Sequence, residues 1–147
     1  MAGQSYSTVF LATQSSLEVF EAINKVRDWW SGEIEGGTTK VGDTFTYTVP
    51  GVHYSKQTIT ELVPGERVVW HVADANLTFV KDKDEWKGTD IVFEIARKGD
   101  KTELRFTHRG LVPDFECHEA CSNGWNLLVG GNLRRLIETG KPQPSPW

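Results

Sequence analysis

His108 is the residue best placed for chemistry. It follows Leu104 and Phe106 at two-residue steps, so strand alternation turns it inward with them, while Glu103, Arg105, Thr107 and Arg109 form the other face. An inward imidazole can hydrogen-bond a bound molecule or serve as an acid–base group. It can equally be a core histidine bonded to a neighbouring backbone or side chain. A second candidate is the run Cys117-His118-Glu119-Ala120-Cys121, with two thiols and an imidazole on one helical stretch. The metal reading fails on ligand number: structural zinc takes four ligands and the chain has no second cysteine pair. His118-Glu119 also lacks the second histidine of a zinc-protease helix. Two reduced thiols, no metal and no cofactor are therefore expected.

Aromatic side chains are the next resource. Six Trp, seven Phe and three Tyr in 147 residues imply a core, or a cavity lining, built largely of rings. Alternation points Trp70 and Phe93 inward, and Trp125 opens the face of the last helix that meets the sheet, with Gly124 before it. Together with Trp30 these rings could wall a pocket or fill the core solidly; pattern alone separates neither. Gly130-Gly131, inside the last helix, costs about 1 kcal/mol per glycine relative to alanine. It implies a bend, or close approach of a backbone or ligand, and tight packing is the favoured expectation. The sequence carries no G-x-S-x-G elbow, phosphate-cradling glycine loop or dinucleotide fingerprint. Asn76-Leu77-Thr78 has the form of a glycosylation acceptor, which means nothing without secretion.

These residues must be positioned by one domain, since 147 residues match about 150 per domain. Tyr6 to Thr13 reads as a strand, and Ser15 with Glu18 forms a capping box for a helix that buries Leu17, Phe20, Ile23 and Val26. A short second helix carries Val26 to Trp30, stopped by Ser31-Gly32. From Gly36 to Gly110 the period is two: Phe45, Tyr47 and Val49 alternate with threonines, His53 to Val63 is the returning strand and Arg67 to Ala73 the next, and Pro50-Gly51, Pro64-Gly65 and Lys98 to Lys101 are turns. The charged run Lys81 to Glu85 reads as an exposed hairpin tip. After Pro113 the period is helical, with Trp125, Leu128, Asn132 and Leu136 on one stripe and Val129, Leu133 and Ile137 beside it. Arg134-Arg135 reads as a solvated helix end, Gly140 as the stop, and 142–147 as an extended proline-rich tail. The expected fold is α+β: a curved antiparallel sheet of six to seven strands gripping a long C-terminal helix. Sixteen basic against twenty acidic side chains, net charge -4, argue against a nucleic-acid partner. No run of 18 apolar residues and no charged-then-apolar start occurs, so no membrane partner and a cytoplasmic location are expected.

Several segments together resemble the START-like superfamily, which includes the birch-pollen-allergen fold and the polyketide cyclases. The resemblance is to its branch named for the activator of the heat-shock protein 90 ATPase. The matching pieces are Glu18 to Ile23, Trp29-Trp30, Gly42-Asp43 with Phe45, Ile59 to Trp70, Gly88 to Ile95, Thr102 to Leu111 and Gly124-Trp125. They follow the family's order over nearly the whole chain, which implies one START-like domain over residues 1–147. The resemblance also implies a space between sheet and helix where a small hydrophobic or aromatic molecule is held. The residues expected to line it are Trp30, Tyr47, Trp70 and Phe93, with Phe106, His108, Trp125 and Leu128. Such a family spans carriers, enzymes and co-chaperones. A non-catalytic binder ranks first, a cyclase- or hydrolase-type enzyme second, and an interaction module for the heat-shock protein 90 chaperone third. A homodimer is included among the expected assemblies.

Overall fold

The computed structural model describes residues 6–30, 33–49, 51, 53–78, 86–111 and 118–141. Strand β1 (Tyr6–Ala12) leads into α1 (Ser16–Asn24) and α2 (Val26–Trp29). Six strands follow: β2 (Glu33–Gly36), β3 (Thr44–Val49), β4 (His53–Val63), β5 (Arg67–Leu77), β6 (Asp90–Lys98) and β7 (Lys101–Arg109). A C-terminal helix begins as α3 (His118–Leu127), widens to a π-helical stretch over Leu128–Leu133, and ends as α4 (Arg134–Thr139). The strands form one antiparallel sheet in the order β1-β7-β6-β5-β4-β3-β2. This is the expected helix-grip. The Pro50, Ser31-Gly32, Lys81 to Glu85, Pro113, Cys117 and 142–147 readings lie outside the described residues.

Local chemistry explains the joints. The Ser15 hydroxyl accepts from the Glu18 N–H, and the Glu18 carboxylate accepts from the Ser15 N–H, each at 3.1 Å. Of the residues expected inward, Ile23 and Val26 are buried and Phe20 packs partly buried on the core, whereas Leu17 is 51% exposed and Val19 and Ala22 take the inward places instead. Once Ser15 fixes the first turn, the inward stripe falls on steps of three and four from Val19. Strand β2 carries little alternation of its own, and pairing with β3 makes it a strand. Gly42-Asp43 earns its place: the Gly42 N–H donates to the Ile59 carbonyl, and the Asp43 carbonyl accepts from the Ile59 N–H. Two register shifts interrupt the β4–β5 pair, at Lys56/Gln57 and Ile59/Glu61, where bulges bend and twist a strand locally.

Gly130 and Gly131 sit in the π-helical stretch. A Cβ on Gly130 would meet nothing within 4 Å, and one on Gly131 only the Arg135 guanidinium at 3.8 Å. Tight packing, the expected reason, is therefore wrong; the glycines mark where the helix gains a residue per turn. That added residue keeps Leu128, Asn132 and Leu136 buried together with Val129, Leu133 and Ile137. At the end Gly140 adopts φ 71 and donates to the Leu136 carbonyl, closing the helix as expected.

Candidate functional site

Strand alternation delivers a concave face of rings. Phe45 and Tyr47 come from β3, Trp70 from β5, Phe93 from β6, and Phe106 with His108 from β7. Trp29 and Trp30 come from the end of α2, and Trp125 from α3. Trp30 is the junction: it stacks on Tyr47 at 4.3 Å, on Trp70 at 5.8 Å and on Trp29 at 6.0 Å, and tilts against Trp125 at 5.3 Å. Trp125 reaches Phe106 at 4.6 Å, Phe106 reaches Phe93 at 5.2 Å, and Phe93 closes back onto Trp70 at 4.9 Å. The residues expected from sequence, Trp30, Tyr47, Trp70, Phe93, Phe106, His108 and Trp125, thus form one connected network. Leu128 is buried in the same core.

Two rings escaped the sequence reading. Trp86, just before β6, stacks on Trp125 at 5.7 Å and stands edge-on between two imidazoles, His108 at 4.6 Å and His53 at 4.7 Å. His53 also stands edge-on to Tyr47 at 5.0 Å. Its signal was present: on β4, His53, Ser55, Gln57 and Ile59 share one face, and Ile59 marks it as the inward one. The polar residues on both faces hid it.

His108 is fully buried, and both ring nitrogens have protein partners. The Trp125 indole N–H, which can only donate, gives its proton to Nδ1 at 3.0 Å. The neutral ring therefore carries its own proton on Nε2, which meets the Thr89 hydroxyl at 2.8 Å. That hydroxyl in turn donates to the Trp86 carbonyl at 2.5 Å. Burial, reinforced by the charge His53 would carry, pushes the His108 pKa down to about 3. Burial does the same to His53, also to about 3. Both imidazoles are neutral near pH 7 and very weak bases, ill matched to general-base work there.

A line of polar side chains runs along the inward face of β4. The His53 Nε2 meets the Ser55 hydroxyl at 3.0 Å, and the Gln57 amide donates to the same oxygen at 2.6 Å. Ser55 and Gln57 are fully buried, yet the Gln57 Oε1 has no partner. The indole nitrogens of Trp70 and Trp86 and the Ser122 hydroxyl are likewise buried and unpaired. Each such group forfeits about 1–3 kcal/mol relative to its hydrated state. Cys121 is buried with a free thiol, and Cys117 lies outside the described residues. Among the described residues no cluster of three His, Cys, Asp or Glu has metal-ligating geometry.

The outer face of the sheet carries an open cleft of about 380 Å³ among Val63, Glu66, Arg67, Glu94 and Arg105. Its arginines are paired: Arg67 meets Glu61 at 3.1 Å and Glu94 at 3.2 Å, and Arg105 faces Glu103 at 4.0 Å. At such exposed positions these pairs contribute little stability.

A sheet gripping a helix around buried rings defines the START-like class of fold. More specifically, residues 17–138 match the family model described as activator of Hsp90 ATPase homolog 1-like protein, and the chain belongs to that family. No curated protein matches it. Among solved structures, the Aha1 dimer from Colwellia psychrerythraea superposes with a TM-score of 0.75 at 23% identity, covering 94% of this chain and 98% of that one. DynU16, described as a putative protein in the dynemicin biosynthetic locus, gives 0.65 at 17% identity, covering 92% of this chain and 48% of that one. CalU16 from Micromonospora echinospora gives 0.59 at 17%, covering 95% and 80%. Likeness at these identities carries the fold. Among the described residues no helix is long and apolar enough to cross a membrane.

Proposed function

We propose that this chain is a non-catalytic binder of a small hydrophobic or aromatic molecule, held between its sheet and its C-terminal helix. The contacts come from Trp30, Tyr47, Trp70, Phe93, Phe106, Trp125 and Leu128, and His108 fixes the Trp125 indole instead of meeting the ligand through a ring nitrogen. The observation carrying this reading is the coincidence of a continuous aromatic face with buried, unpartnered indole N–H groups on Trp70 and Trp86. A packed core has no use for orphaned donors, whereas a binding wall does. The cyclase or hydrolase alternative needs two inward titratable groups that exchange protons near neutrality. His53 and His108 are inward, but both are held neutral down to about pH 3. The chaperone-module alternative needs an outer patch, and the arginines of the outer cleft are already engaged by its own carboxylates. We also propose a cytoplasmic location and assembly as a homodimer.

Native mass spectrometry of freshly purified protein, paired with titration of an apolar fluorophore, tests the reading. A retained small molecule, or saturable quenching of tryptophan emission at one site per chain, is the expected result. Purified protein that carries nothing and leaves the fluorophore unbound at millimolar concentration returns the rings to a purely structural role.

A further inference from the structure

We infer that the polar line on β4 is the orienting end of the site, with the Gln57 side-chain carbonyl accepting a hydrogen bond from an uncharged, hydroxyl-bearing aromatic ligand. This inference rests on the binding reading above and narrows it to a ligand class. Gln57 is fully buried on the inward face, anchored through its amide nitrogen to Ser55, which His53 holds from the other side. The anchor leaves the Oε1 end of the amide facing no partner. Turning the amide over only exchanges which end is unpaired, so one polar atom stays unmatched in either orientation. Around it the surface is aromatic: Phe45 pairs with Gln57 across the β3–β4 ladder, Tyr47 pairs with Ser55, and Trp30 packs on both rings.

The charge of the ligand follows from what the interior lacks. Among the described residues no carboxylate, ammonium or guanidinium is buried; the buried polar set is Thr38, Ser55, Gln57, Thr89, Thr102, His108 and Asn132. An ionised group placed there would lose its water and gain no countercharge. A hydroxyl suits the unpaired Gln57 carbonyl best, since it is an uncharged donor and its oxygen can in turn accept. A bare hydrocarbon would leave that carbonyl unmatched.

The experiment compares naphthalene, 2-naphthol and 2-naphthoate by isothermal titration calorimetry at neutral pH, on the full chain and on Gln57→Leu. The parent protein should prefer 2-naphthol over naphthalene by about 2- to 12-fold, the worth of one hydrogen bond, and should reject 2-naphthoate. Gln57→Leu should keep its affinity for naphthalene and lose the preference, with a melting temperature no lower than the parent's. Gln57→Met carries the same readout if the branched leucine misfolds. An unchanged preference in either variant, or naphthoate binding as tight as naphthol, overturns the inference while leaving a binding site. Loss of fold in both variants overturns it too, by making Gln57 structural. No binding of naphthalene or naphthol to the parent protein instead sinks the binding reading itself.

Discussion

At the residue scale, His108 shows how a core imidazole is made to hold a site in place. Its Nδ1 accepts from Trp125 on the helix, and its Nε2 meets Thr89 at the start of β6, so one ring ties helix, sheet and the Trp86 segment together. Its pKa is lowered to about 3 in the fold against an ordinary 6.5. The unfolded chain therefore binds a proton that the native state refuses between those values. The stabilisation from the neutral, buried ring is fully present above about pH 6.5 and is lost as pH falls toward 3, by roughly 1.4 kcal/mol per pH unit for one such group. His53, lowered to about 3 by burial as well, adds a slope of the same sign. Denaturant midpoints measured from pH 7 to pH 4 should fall more steeply in the parent than in His108→Asn, which does not titrate. The variant should also be less stable at pH 7 by about 1–3 kcal/mol, because the Trp125 N–H or the Thr89 hydroxyl loses its partner. Parallel pH profiles would show that other groups carry the acid sensitivity.

At the element scale, glycines with opposite roles can be told apart. Gly36 ends β2 at φ 106, and a Cβ there would lie 2.3 Å from the Thr44 carbonyl oxygen. Gly130 has open space around it and no positive φ. Gly36→Ala should cost at least about 1–3 kcal/mol through backbone strain, whereas Gly130→Ala should be neutral or stabilising by about 0.4–1 kcal/mol. Thermal melts of the two variants decide this; a Gly130→Ala loss comparable to Gly36→Ala would mean that the π-helical stretch needs glycine for a reason other than space. The same contrast shows what the sequence could convey. Periodicity and turn signals found β1, β3, β4, β6, β7, most of β5 and the helical stripe, because each buries one face between clear breaks. They failed where another element supplies the order: β2 is a strand only through its pairing with β3. The ring network was legible because Phe106, Phe93 and Trp125 advertise their faces. Gln57 was not, since a polar residue on a strand looks solvent-facing until its neighbours are known.

At the scale of the whole molecule, the open sheet has two edges, and they are not alike. The β2 edge is four residues long and carries the exposed carboxylates of Glu33 and Glu35, the kind of charge that discourages pairing. The β1 edge is seven residues long, and its outer face presents Val9 at 47% exposure and Leu11 at 45%. Two copies meeting at β1 about a two-fold axis would extend the sheet and set Val9 and Leu11 of one copy beside those of the other, shielding part of each from water. This is where we place the proposed homodimer. Sedimentation equilibrium should then find a concentration-dependent dimer of the parent chain, and Val9→Lys with Leu11→Lys should shift it to monomer. Both positions face water in the single chain, so the double variant should keep its circular dichroism spectrum and change its own stability by little, within about 0.5 kcal/mol per surface site. Glu33→Lys on the opposite edge should leave the dimer intact. A parent chain that stays monomeric at every concentration would remove the homodimer, and a dimer that survives the double lysine variant would move the interface away from β1.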